Sequence, residues 1–313
     1  MKEILKTAME RVTLKQLRAL GAVVRTGTIS GAAKELSVTP PAVSMQMRLL
    51  AEAVGLPVVE RTESGLRPTD AGLIVLDGVR RCESALAACG EALEEMKGAG
   101  GGRVVVGVVS TAKYFAPRAL AAFARAHPKI EMRLSVGNRG ETIAALKGYE
   151  LDFAVMGRPP DGFGVESAVI GDHPHIIVAP PDHPMAGRRN IAFADLAGET
   201  FLLREDGSGT RALMQRLFDE AGLNPNLGME IGSNETIKQA VIAGLGIAMI
   251  SAHTVYAELQ ESRLTELDVA GLPVIRQWFT VKLEKKRLLP AARAFWDFLV
   301  DSGTKYLPTA NTN

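Results

Sequence analysis

The sequence predicts an α+β multidomain chain: a small three-helix head with a two-stranded wing, one long helix, and a two-lobed α/β domain. Three observations predict it. Apolar residues recur at helical spacing in three short runs at the front. A proline-free stretch, 70–97, then repeats apolar residues in steps of four and three. Beyond a glycine run, strand-like and helix-like segments alternate almost to the end. At 313 residues the chain has room for more than one core, since domains commonly run to about 100–200 residues.

Thr13 followed by Gln16 fits a capping box, and Leu17, Leu20 and Val24 keep helical spacing until Gly27 ends the first helix. Residues 28–36 (TISGAAKEL) predict a short second helix, whose small Ala32 and Ala33 let another helix approach; Ser37 and Val38 form a turn. Thr39 is placed to cap a third helix that opens on Pro40 and Pro41. Both prolines fall in its first turn, where a missing N–H leaves nothing unsatisfied and the fixed φ already suits a helix. Two short helices, a tight turn and a third helix opening on small residues make a helix-turn-helix, the third helix being the one that lies in the DNA major groove. Val43, Met47 and Leu50 are expected in the core. Ser44, Met45 and Arg48 then point outward, with Thr39 and Pro41 at the leading edge, as candidate base contacts. In 55–72 (GLPVVERTESGLRPTDAG), turn residues Glu63, Ser64 and Gly65 stand between Arg61 and Arg67. They predict a wing whose arginines meet phosphate, which makes residues 1–69 a winged helix-turn-helix.

Charge limits this reading. With 36 Lys plus Arg against 35 Asp plus Glu, net +1, a uniformly basic coat is excluded and any DNA contact is local. Along 70–97, Val75, Val79, Cys82, Leu86, Cys89, Leu93 and Met96 form a coiled-coil seam on a rod of roughly 40 Å, which predicts a dimer. Cys82 and Cys89 are too few for a disulfide framework and are read as small buried seam residues without redox chemistry. The charged N-terminal segment lacks the apolar run of a signal peptide, and no stretch reaches about 18 apolar residues, so a soluble, cytoplasmic chain away from membranes is expected. Residues 98–102 (GAGGG) are a predicted hinge.

From 103 onward, RVVVGVVS, IEMRLSVG and LDFAVMG read as strands and the segments between them as helices, an α/β lobe with a largely parallel sheet. After a Pro-rich crossing at Arg158, Pro159 and Pro160, the alternation resumes through HIIVAP, FLLRE, GTRALMQRLFDEAG, MEIGS, NETIKQAVIAG and GIAMIS. A second crossing near 271–273 leads to QWFTVKL and AARAFWDFLV. The expected division is lobe I at about 103–160 and 274–313, and lobe II at about 161–273, with a cleft between them. Ser110 and Thr111 end the first strand and open a helix, a placement that faces the cleft and favours an anion. Asn138 and Arg139 end the next strand, and Arg158 follows the third, where cations complement a phosphate or carboxylate. In lobe II, 206–211 (DGSGTR), with Ser208 and Thr210, turns backbone N–H groups toward an anion as a nest does. Asn234, Glu235 and Thr236 stand at another helix start, where they cap the helix or reach the same anion.

Enzyme chemistry finds little footing. EDGSG lacks the first glycine of a nucleophile elbow, and DGSGTR lacks the lysine of a P-loop. His173, His175 and His183 fall in proline-bearing HPH and DHP, read as loops with structural or solvated histidines; no metal is expected. Lys285, Lys286 and Arg287 read as a solvated loop.

On these residues the whole chain, from the TPPAVS helix through the linker to the two lobes, resembles the LysR-type transcriptional regulators, whose effector domains are similar to periplasmic binding proteins. More narrowly, STAKYFAPRALAAFARAHP, VGNRGETIAALKGYELDFAVMGRPP and GSNETIKQAVIAGLGIAMISAHT look like the RuBisCO-operon, or Calvin-cycle, activators of that family. The sequence departs from the family where Pro40 replaces a frequent Gln, Met45 a frequent basic residue, and Val58 and Val59 a Leu-Phe pair. The resemblance implies double-stranded promoter DNA as partner, self-association to a dimer or tetramer, activation through RNA polymerase, and no cofactor. It also implies an allosteric anion such as ribulose bisphosphate, phosphoenolpyruvate or NADPH. The alternatives are a LysR-type regulator of another metabolic operon, and a two-lobed binding protein or enzyme with a helical dimerisation unit. The latter predicts negligible DNA affinity.

Overall fold

The computed structural model describes residues 11–96 and 101–308. Residue 97 and the first part of the predicted hinge, 98–100, lie outside the described residues, and Gly102 already belongs to a strand. The chain divides into two compact units, Met1–Gly90 and Glu91–Asn313.

In the first unit, helix α1 (Leu14–Thr26) starts at the reciprocal Thr13/Gln16 capping box and ends at Gly27, whose φ of 69° needs no Cβ. Helix α2 (Ile29–Glu35) is capped by the Thr28 hydroxyl, and helix α3 (Pro40–Val54) follows. Thr39 holds the cap position of α3, but its side chain makes no cap bond. The prolines explain the difference: they remove two of the first N–H groups, and the next, on Ala42, bonds the Thr39 backbone carbonyl at 3.0 Å. Leu20, Val23, Ala32, Ala33, Val43, Met47 and Leu50 form one core. Strands β1 (Val59–Thr62) and β2 (Gly65–Pro68) pair antiparallel as the wing. Gly65 anchors it: the Leu66 N–H donates to the Gly27 carbonyl at 2.8 Å, and a Cβ on Gly65 would stand 2.7 Å from that oxygen. Helix α4 (Asp70–Met96) adds Val75, Leu76 and Val79 to the head's core. The predicted seam therefore divides. Its first members are buried within one chain, whereas Cys82, Leu86, Cys89 and Leu93 stand exposed on the single chain, where the expected burial of the cysteines belongs to a seam between two copies.

The second unit is built on a seven-stranded sheet. Strand β3 (Gly102–Val109) pairs parallel with β4 (Ile130–Gly137) and β5 (Phe153–Met156), and Val104, Val106 and Val108 are wholly buried. Helices α5 (Ala116–Ala126) and α6 (Arg139–Lys147) connect these strands. The crossings are strands rather than loops. Strand β6 (Val165–Ala179) runs antiparallel to the whole of β11 (Val274–Leu283) through its stretch Val165 to His175, with a register shift at Trp278/Phe279. Strand β11 also pairs with β5, and the back of β6 continues onto β9 (Ala248–Ser251) and β10 (Thr265–Glu266). The resulting order is β10-β6-β11-β5-β3-β4, with β9 also on β6. The sheet is thus less parallel than expected, because a chain that passes between lobes twice returns against its own direction. Past Pro160, Phe163, Val165, Ala168 and Ile170 still pack into the core of Phe153 and Phe295, and Ile176 to Ala179 into those of Phe201 and Ile237, so the core changes along β6.

Lobe II adds β7 (Thr200–Arg204), α7 (Gly209–Ala221), β8 (Asn226–Ile231), α8 (Asn234–Ile242) and the short α9 (Tyr256–Gln260), with β7 and β8 parallel. Helix α10 (Pro290–Ser302) returns to lobe I, where Phe295 packs on Phe123 and Phe153; Phe295→Ala should cost about 3–5 kcal/mol by cavity formation. Of the predicted solvated run, Lys286 is instead buried: its Nζ donates to the Leu151 carbonyl at 2.6 Å and stands 3.2 Å from Asp152, joining the loop after β11 to lobe I.

Candidate functional site

Between the lobes lies a cavity of about 40 Å³, enough for roughly three or four waters on a scale where one water needs about 10–15 Å³. Ser110 and Thr111 reach it from the end of β3, Asn138 and Arg139 from the start of α6, Gly157 and Arg158 from the end of β5. Lobe II supplies Arg204, Ser208, Gly209 and Thr210, and the crossing strands supply His173, His175 and Arg276. Four of these residues are arginines and none is a carboxylate.

The arginines are held differently. Arg204 is almost wholly buried: Glu205 takes it at 2.8 Å through both carboxylate oxygens, Asn234 Oδ1 accepts from Nη1, and Nη2 reaches across to Ser110 Oγ at 3.2 Å. Its charge is compensated. Arg158 is exposed and paired with Asp161 at 2.9 Å. Arg139 donates to the carbonyls of Arg158 and Pro159, and Arg276 to that of Gly209 at 3.5 Å; neither has an ion-pair partner among the described residues. Burial holds the Arg276 guanidinium below its ordinary pKa, and the positive charges of Arg139, Arg216 and Arg158 push the same way. Arg139 is lowered by burial and then by Arg158, with Asp161 opposing. Unpaired charge out of water is costly, and an anion in the cavity relieves that cost.

The helix starts add neutral donors. Asn138 Oδ1 and the Glu141 carboxylate close a capping box at α6. At α7 the cap position belongs to Ser208, whose side chain makes no cap bond, so the first N–H groups of that helix are left to the cavity.

His173 and His175 correct the loop reading. They sit in β6, both buried, and His173 stacks on Trp278 with ring centroids 3.7 Å apart. Desolvation keeps them neutral: His173 falls well below the ordinary imidazole value, and His175 falls to about 3. His253, which accepts the Trp278 Nε1–H at 3.1 Å, falls to about 4, again by burial. His183 stands apart, 3.2 Å from Glu199. Among the described residues no group of His, Cys, Asp and Glu is arranged to hold a metal ion.

The cavity brings together Ser110, Thr111, Asn138, Arg139, Arg158, Ser208 and Thr210 as the sequence predicts. It leaves out Asn234 and Thr236. The cap of α8 is Ser233, whose hydroxyl accepts the Thr236 N–H; Asn234 is buried behind Arg204, and Thr236 is exposed. Sequence reasoning missed Arg204, Arg276, His173 and His175. Arg204 lies inside FLLRE, quoted only for its apolar pattern, and Arg276 directly precedes QWFTVKL; a charged residue breaking or bordering such a pattern was the available signal.

On the head, Thr39, Pro41, Ser44, Met45 and Arg48 are all exposed along one end and flank of α3, opposite Val43, Met47 and Leu50. Arg48 pairs loosely with Glu52 at 3.7 Å. Arg61 and Arg67 are both exposed, but Arg61 is registered opposite Leu66 and Arg67 opposite Glu60, so they occupy opposite faces of the wing.

A winged helix-turn-helix unit followed by a two-lobed domain with a cationic interlobe cavity defines a class, the ligand-responsive DNA-binding proteins. Comparison with known proteins agrees. Residues 14–73 match the bacterial regulatory helix-turn-helix protein, lysR family, and residues 97–304 match the LysR substrate binding domain. The HTH-type transcriptional regulator CbbR of Xanthobacter flavus is 53% identical over 95% of this chain and 90% of its own. The RuBisCO operon transcriptional regulator of Allochromatium vinosum is 43% identical over 94% and 97%. Among solved structures, the Synechocystis PCC6803 CcmR regulatory domain in complex with 2-PG is 38% identical over 66% of this chain and all of that one, with a TM-score of 0.64. A full-length OxyR variant from Pseudomonas aeruginosa shares the fold at a TM-score of 0.72 and 20% identity over 96% and 98% of the two chains. The chain belongs to the LysR family of DNA-binding transcriptional regulators.

Proposed function

We propose that this regulator activates a RuBisCO operon in response to a small phosphorylated anion bound between its lobes. The observation that carries the ligand reading is the pair Arg139 and Arg276: two half-buried guanidiniums in one cavity, neither ion-paired among the described residues, both lowered in pKa first by burial and then by the arginines beside them. The relatives named above support the operon. The chemistry of the cavity suits a phosphate with a short carboxylate tail, as in phosphoenolpyruvate or the 2-phosphoglycolate of the Synechocystis complex, which the lobes admit by parting slightly. Ribulose bisphosphate and NADPH require them to part further. The site works by binding alone, without cofactor or catalysis.

In this reading Thr39, Pro41, Ser44, Met45 and Arg48 meet base edges in promoter DNA, and Arg61 and Arg67 meet phosphates. The exposed Cys82, Leu86, Cys89 and Leu93 on α4 pair with a second copy, giving a dimer that assembles further to a tetramer. The protein acts in the cytoplasm and engages RNA polymerase at the promoter; among the described residues no helix is long and apolar enough to cross a membrane. The anion shifts the lobes by its difference in affinity between two arrangements, a coupling of about 1–3 kcal/mol.

The test is fluorescence anisotropy with DNA from upstream of a RuBisCO operon, at two salt concentrations, with and without 2-phosphoglycolate, phosphoenolpyruvate, ribulose bisphosphate and NADPH. Tight, salt-dependent binding that responds to one of them is expected. Binding indifferent to all four sinks the ligand reading, and no preference for this DNA sinks the operon. Leu86→Glu should abolish self-association in analytical ultracentrifugation and weaken DNA binding about 100-fold or more by removing the second head.

A further inference from the structure

We propose that His173 contacts the ligand directly and determines specificity: its imidazole hydrogen-bonds an oxygen of the anion held by Arg139 and Arg276. This rests on the anion reading of the cavity given above.

Three observations carry it. His173 is 3% exposed and lines the cavity, yet neither Nδ1 nor Nε2 has a hydrogen-bond partner among the described residues. Buried polar atoms are nearly always paired, so a ring with both nitrogens unpaired is an exception that calls for a partner from outside the chain. The ring is closely packed where it stands. It lies parallel to Trp278 within 17°, His175 crowds it at 4.2 Å between centroids, and the His175 Nδ1 is already engaged with the His173 backbone carbonyl at 3.2 Å. Third, the chain keeps the wall beside it thin. A Cβ on Gly157, itself a lining residue, would stand 2.8 Å from His173 Nδ1.

Chemistry then separates the roles. The arginines recognise charge and take any anion of suitable size. A neutral imidazole offers one donor and one acceptor at fixed positions, so it recognises where an oxygen lies and whether it carries a proton. Arg276 is registered directly opposite His173 in the β6–β11 pair, so an oxygen held between them meets both. The cavity thereby favours a ligand with a second oxygen-bearing group next to its phosphate over inorganic phosphate alone.

The experiment compares full-length wild type, His173→Phe and His173→Gln by isothermal titration calorimetry. The probes are 2-phosphoglycolate, phosphoenolpyruvate, ribulose bisphosphate, NADPH and inorganic phosphate, and effector-free DNA binding serves as the folding control. His173→Phe keeps a flat ring on Trp278 and removes both polar atoms. It should weaken the preferred organic phosphate by about 10- to 100-fold and inorganic phosphate far less, leaving DNA affinity unchanged. His173→Gln, which restores a donor and an acceptor, should recover much of the loss. Unchanged affinity in His173→Phe, or an equal loss for every probe with no recovery in His173→Gln, overturns the proposal and makes the histidine a packing residue. A wild type that binds none of the probes overturns the anion reading itself, and this proposal with it.

Discussion

The cations of the head and those of the ligand cavity meet opposite physical problems. Arg48 keeps 69% of its side chain exposed, and Arg61 and Arg67 stand in water on a wing. Arg204 keeps 2%, while Arg139 and Arg276 are half-buried among other arginines. An exposed cation is screened by salt within about 8–10 Å and binds phosphate chiefly by releasing counterions, which gives affinity without selectivity. A cation withdrawn from water is screened little and needs a partner of matching shape. In the proposed reading, the same residue type serves general attraction in one unit and recognition of one small molecule in the other.

The sharpest way to break this comparison is Arg276→Ala. It removes a cation that has no ion-pair partner among the described residues, so the ligand-free unit should fold at least as well, while affinity for the organic phosphate in calorimetry falls by about 10- to 150-fold. An unchanged affinity would reduce the cavity to a structural gap.

Acid should strike the ligand unit through its buried imidazoles. The values for His175 and His253, about 3 and about 4, lie below the ordinary 6.5. As pH falls below about 6.5, unfolded chains take up these protons and the folded unit does not, so stability is full above that range and declines toward pH 4. Each histidine adds a slope of up to about 1.4 kcal/mol per pH unit. Protonating His253 at Nδ1 would also break its bond from Trp278. Urea midpoints at pH 7, 5.5 and 4.5 should fall more steeply in wild type than in His253→Gln, and parallel curves would contradict the assignment.

The smallest effect belongs to the wing. Arg61→Ala and Arg67→Ala should each weaken all DNA sequences alike and reduce the salt slope by about 1. Because the two lie on opposite faces, one of them losing nothing would show which face meets the backbone. A change in sequence preference would move the base contacts from α3 to the wing.

These differences also mark how far the sequence could be read. In the head, the Thr13/Gln16 box, the Gly27 stop and the core positions Val43, Met47 and Leu50 rest on contacts a few residues apart, and all appear where expected. The cavity residues at strand ends were legible for the same reason: strand-to-helix turns place Ser110, Thr111, Asn138, Arg139, Ser208 and Thr210 at one edge of the α/β layers. Asn234 looked equivalent, yet it faces Arg204 because Ser233 had already taken the cap.

The sequence by itself determined the local elements, the winged head, the alternation that builds two lobes, and most of the turns that line the cavity, since capping, periodicity and glycine placement act over a few residues. Only the tertiary structure decided that the crossings are paired strands, that Arg276 and His173 meet opposite each other on them, and that Glu205 neutralises Arg204 while Arg139 and Arg276 find no ion pair among the described residues. Those outcomes depend on register between strands about a hundred residues apart and on which charges lose water together, and neither is written in any local pattern.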